Sequence, residues 1–182
     1  MPKVEGELKK QIQSLSKADL EKIVIRLAAK HKEVHDFLIV NYLDTRFGEK
    51  DLFEQAKDDI EMLFSKNYKG YSEELKLAAM IEACVKRINQ FQVICKNKNL
   101  EADLILMVLD EVFTYSSQLF GTCFTKFDYK AALLLKRLIT LVTSKLHPDY
   151  KIEYEGKINR YLEVLHRTSN HVDFIYGMPA SI

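Results

Sequence analysis

His31 and His35 stand four residues apart, a spacing that on one helix lets two imidazoles reach the same metal ion. The residue after His31 is Lys32, not the glutamate of the zinc-protease H-E-x-x-H pattern, and the spacing supplies no third ligand. Two surface histidines are the plainer expectation, with His31 and His35 kept as the metal candidates. Glu163 and His166 form one E-x-x-H step. Di-iron carboxylate bundles need two such steps and two more inward glutamates. The chain has no second step, and Leu162 and Leu165 turn Glu163 outward. Glu54, Asp58 and Glu61 share a helix face, and the stretch from Glu49 to Glu61 carries an excess of four negative charges. Paired carboxylates can move protons or hold a hard cation, but charge runs are usually solvated helix surface.

Lys66, Lys69, Lys126 and Lys130 sit near two turns that an up-and-down bundle places at one end. With Tyr68, Tyr71, Phe127 and Tyr129 they make a candidate anion-binding rim able to hold phosphate or stack bases. The overall charge of +1 argues against nucleic acid as the main partner. Of three cysteines, Cys84 and Cys95 fall in an apolar seam and Cys123 in a loop beside Lys126. Eleven residues separate the first two, roughly 16 Å on a continuous helix, too far for a disulfide. The odd count reads as free thiols of a reducing compartment, and Cys123 as the most reactive. No nucleophile elbow, phosphate-cradling glycine loop or dinucleotide fingerprint occurs, so no catalytic residue and no cofactor are assigned.

The elements that hold these side chains are helices. Gly and Pro number only six and three, too few for the turns of a sheet protein of 182 residues. Ser16 caps a helix whose stripe is Leu20, Ile23, Val24 and Leu27, with Asp19 as the acidic half of a capping box. A second short helix is expected over 32–43, with Val34, Phe37, Leu38 and Leu43 inward. Helices follow over 50–65, from Ser72 through the seam Leu77, Ile81, Cys84, Ile88, Phe91 and Cys95, over 100–120, over 129–146 and over 155–169. Those over 100–120 and 129–146 are the most apolar and should be central. His147-Pro148-Asp149 ends the latter.

The string Leu15-Ser16-Lys17-Ala18-Asp19-Leu20-Glu21-Lys22-Ile23-Val24, followed by Val34-His35-Asp36-Phe37-Leu38, resembles the opening helix pair of uncharacterised bacterial all-helical proteins. The resemblance covers residues 15–45, implies stacked helix pairs and transfers no functional residue.

The expectation is one all-α domain over 1–182, of about seven or eight helices in an up-and-down bundle or an irregular stack of antiparallel pairs. No run of about eighteen apolar residues is present and the first ten residues lack a signal-peptide core, so the chain is expected in the cytoplasm. Residues 172–182 form an apolar tail in which Phe174, Tyr176 and Met178 must cover something: the chain's own groove first, a partner or second copy otherwise. The functional expectation is a non-enzymatic protein-binding or scaffold module. The alternatives are a metal protein or enzyme built on scattered His, Asp and Glu, and nucleic-acid binding through the lysine rim.

Overall fold

The computed structural model describes residues 5–44 and 47–182, apart from the side chains of Phe47 and Val172. Among the described residues there are nine α-helices and no strand, so the fold is all-α. The chain divides at Gly48 into two compact units, Met1–Gly48 and Glu49–Ile182.

The first unit holds α1 (Gly6–Gln13), α2 (Lys17–Lys30) and α3 (Lys32–Leu38). Ser16 caps α2 as the capping pattern predicts: its hydroxyl oxygen accepts from the Asp19 N–H at 3.1 Å and its proton goes to the Asp19 carboxylate at 2.6 Å. No glycine or proline ends α2. Instead His31 is extended (φ −128°, ψ 108°); its N–H closes α2 on Leu27 O while its carbonyl accepts from Val34 and His35 to open α3. The helix expected over 32–43 is α-helical only to Leu38. Ile39–Leu43 widens into a π-helical turn, closed by Asp44 N–H on Ile39 O at 2.8 Å. That widening rotates Leu43 out to 73 % exposure, where the periodic reading had it inward. Gly48 sits in a tight place, where a Cβ would come to 3.0 Å from Ile39 Cγ2 and push that side chain aside. Helix α1 was not anticipated, because eight residues with no buried side chain carry too weak a period to read.

The second unit contains α4 (Phe47–Phe64) from Glu49 onward, α5 (Glu73–Ile94), α6 (Lys98–Tyr115), α7 (Thr125–Ser144), α8 (Pro148–Thr168) and α9 (Val172–Tyr176). Ser72 accepts from Leu75 N–H at the start of α5, and Asn97 from Asn99 and Leu100 N–H at the start of α6. Pro148 does double duty: it ends α7's run and occupies the first turn of α8, where its missing N–H costs nothing. Helix α7 packs against α5, α6 and α8. Ile81, Cys84, Ile88, Phe91 and Cys95 of the seam are buried, as are Leu104, Ile105, Leu109, Leu135 and Leu138 of the two central helices. Leu133 is 36 % exposed, at the edge of a groove between α5 and α7. A buried polar knot ties three of these helices. Glu101, only 2 % exposed, accepts from Arg137 at 2.9 Å and Lys98 at 2.6 Å, and Arg137 also reaches Asn89 and Gln92 on α5.

Asp128 forms a second knot. It is fully buried in the first turn of α7 and accepts from Gly121 N–H at 3.1 Å and Asn170 N–H at 3.3 Å. Asn170 in turn donates to the Gly121 carbonyl, so the loop before α7 is stapled to the chain after α8. Gly121 has φ +78°, and a Cβ there would collide with the Thr168 carbonyl, so only glycine fits. The apolar tail lies along the same unit. Ile175 and Met178 are buried, Phe174 packs edge-on to Tyr129, and the Ile182 N–H donates to Asn159 at 2.9 Å.

Candidate functional site

Helix α6 has two faces. Leu104, Ile105, Val108, Leu109 and Val112 enter the core, and the opposite side carries Asp103, Leu106, Met107, Asp110, Glu111 and Thr114 at helical spacing. This second row, with Glu61 and Phe64 from the last turn of α4, lines a groove of about 480 Å³. Its lining sets Phe64, Leu106 and Met107 beside the carboxylates of Glu61, Asp103, Asp110 and Glu111.

Two of the carboxylates are held in place by α8. Asp103 accepts from the Tyr154 hydroxyl at 2.6 Å; Asp110 accepts from Tyr161 and from Lys157 Nζ at 2.7 Å. Tyr154 and Tyr161 are seven residues apart, as are Asp103 and Asp110, so one rung repeats two turns along both helices. Burial, with the carboxylates accepting their protons, pushes both phenols well above the usual tyrosine range. The ring of Tyr161 stacks on Phe113 at 4.4 Å, which keeps its hydroxyl aimed at Asp110.

The other two acids are unopposed. Glu111 is half-buried, and desolvation raises its carboxyl above the ordinary value. Among the described residues no base lies within ion-pair distance of Glu111 or Glu61. Four carboxylates thus line or flank the groove against the single ammonium of Lys157. Such a surface favours a cationic, partly apolar ligand. Among the described residues no three His, Cys, Asp or Glu side chains converge closely enough to hold a metal ion, here or elsewhere.

Of the residues singled out from sequence, Glu61 alone reaches this groove; Glu54 and Asp58 stay on solvated surface. The histidine pair is corrected: His31 lies in the break between α2 and α3, so His31 and His35 do not share one helix, and His35 instead pairs with Asp36 at 3.1 Å. The lysine rim is corrected in part. Lys126 and Lys130 both lie in α7 and share the single carboxylate of Glu82, at 3.2 and 3.1 Å, and Phe127 is fully buried rather than available for stacking. Lys66 lies over the Tyr68 ring at 5.8 Å and Lys69 is exposed. Glu163 points outward, and His166 lies 3.2 Å from the Pro179 carbonyl. In the tail, Phe174 and Met178 are occupied by the chain's own packing, and only Tyr176, 76 % exposed, remains available as an anchor. Cys84 and Cys95 are buried and Cys123 exposed; burial lifts the Cys84 thiol to about 12 and the Cys95 thiol to about 11.

Sequence reasoning missed the groove, although the signals were present: acids at 103, 110 and 111 punctuate an otherwise apolar helix, and tyrosines at 154 and 161 share their seven-residue spacing. No family model matches the chain, and neither curated proteins nor solved structures give a significant match. Among the described residues no helix is long and apolar enough to cross a membrane.

Proposed function

We propose that the chain is a non-enzymatic protein-binding module whose groove between α4 and α6 receives a basic, amphipathic segment of a partner protein. The observation that carries this reading is Glu111, a half-buried carboxylate beside the apolar Leu106 and Met107 with no base to oppose it. Leaving such a group unpaired disfavours the isolated protein, and an incoming Lys or Arg relieves it. An apolar residue one helical turn from that cation would cover Leu106 and Met107. The three free thiols support a reducing compartment, the cytoplasm. The likeness of residues 15–45 to bacterial all-helical proteins belongs to the same reading.

The test uses a labelled amphipathic helical peptide of Lys and Leu, and its counterpart with Glu in place of Lys, read by fluorescence anisotropy. The Lys peptide is expected to bind, more weakly as salt rises. Glu61→Lys with Glu111→Lys is expected to weaken it by about tenfold or more, a loss of about 1.4 kcal/mol. Equal binding of the Glu peptide, or unchanged binding by the double variant, overturns the reading.

A further inference from the structure

Residues 5–44 bury only Val40 among their apolar side chains. Leu8, Ile12 and Leu15 around α1, and Ile23, Val24 and Leu27 on α2, are each more than one-third exposed. A unit of 48 residues can bury only a small core, and oligomerisation is one of the usual remedies. Exposed apolar surface of this extent marks an interaction site.

The charges on α2 say what fits it. Asp19 lies near its start, and Arg26 and Lys30 follow seven and eleven residues later, so all three run down one edge of the Ile23–Leu27 stripe. Lys17 and Glu21 pair with each other on the other edge, at 3.8 Å. Among the described residues neither Arg26 nor Lys30 has a carboxylate within ion-pair distance, and Asp19 bonds only to Ser16. An identical helix laid antiparallel, with the two-fold axis between Ile23 and Val24, puts Leu20 opposite Leu27 and Ile23 opposite Val24. The same operation sets Asp19 of the second copy midway between Arg26 and Lys30, and it does so twice. A parallel two-fold copy would instead turn this edge toward the Lys17–Glu21 edge, so Asp19 would meet neither Arg26 nor Lys30 of the other copy.

We infer that a second copy of this chain covers the α2 face, in an antiparallel two-fold pairing centred on Ile23 and Val24. An isologous patch must be self-complementary, and this edge is, with acid at one end and bases at the other. The pairing does not depend on the groove of the second unit.

Light scattering coupled to size exclusion on the full chain tests it. The chain is expected at twice its monomer mass at micromolar concentration. Asp19→Lys alone sets three bases together at each end, and Arg26→Glu with Lys30→Glu sets three acids together, so each variant is expected to dissociate by about tenfold or more. Mixing the two variants restores opposite charges at both ends and is expected to recover a mixed dimer, an outcome that misfolding cannot mimic. A monomeric wild-type chain, dimers indifferent to the charge changes, or failure of the mixture to pair overturns the proposal. A monomer whose α2 amides are nonetheless protected from hydrogen exchange overturns it as well, since the cover then comes from the same chain.

Discussion

The helices before Gly48 and the helices after it are written in the same periodic code, yet they end in opposite states. Helix α2 carries Leu20, Ile23, Val24 and Leu27 at helical spacing and buries none of them fully. Helix α7 carries Leu134, Leu135, Leu138, Leu141 and Val142 at similar spacing and buries all five. The difference is the number of neighbours. Helix α7 packs closely against three helices, whereas among the described residues the one close packing partner of α2 is α3. Amphipathic spacing therefore shows that a face wants a partner; it does not show that the partner is in the same unit.

Substitutions break or sharpen that contrast. Leu109→Ala or Leu138→Ala should each cost about 2–5 kcal/mol in urea unfolding, since both side chains are fully buried and leave a cavity. Ile25→Ala, at a side chain 69 % exposed on α2, should stay within about 0.5 kcal/mol. Similar losses at the two places would erase the distinction between the units.

A smaller effect tests the loop staple inside the second unit. Asp128→Ala strands the Gly121 and Asn170 amides and should cost about 1–3 kcal/mol. Asp128→Asn keeps one oxygen for those donors and should cost less. An Asn variant as destabilised as the Ala variant would show that the retained oxygen does not serve those donors.

The smallest effect concerns Glu111. Its carboxyl is raised in the folded state by desolvation, so folding binds protons just above the ordinary carboxylate range. Its ionisation therefore disfavours folding at neutral pH, and this penalty fades as pH falls through the raised value toward the ordinary one. Glu111→Gln should stabilise the protein slightly at pH 7, with the gain shrinking near pH 4. Urea midpoints at the two pH values measure this. A gain that grows on acidification would mean that Glu111 has a basic partner, and would remove the motive for a cationic ligand.

Local chemistry was readable wherever neighbours in sequence are also partners. Ser16 with Asp19, Ser72 at the head of α5 and Pro148 between α7 and α8 act through groups within a few residues, so their types announce them. The groove was not readable, because Asp103 meets Tyr154, and Asp110 meets Lys157 and Tyr161, across about fifty residues of chain. The pairing of Lys126 and Lys130 was hidden for the same reason: Glu82, on α5, lies within ion-pair distance of both from more than forty residues away.

The sequence by itself determined the helical class, the capped starts of α2 and α5, the apolar seam through Ile81, Cys84, Ile88 and Phe91, and the need of the tail to be covered. Each of these follows from backbone capping or from a period of 3.6 residues, which are properties of short stretches. Only the tertiary structure decided which acids stand unopposed, that Phe174 and Met178 pack inward while Tyr176 does not, and that Asp128 is sealed in the core. Burial and charge pairing are sums over neighbours brought together by folding, and no local spacing encodes that sum.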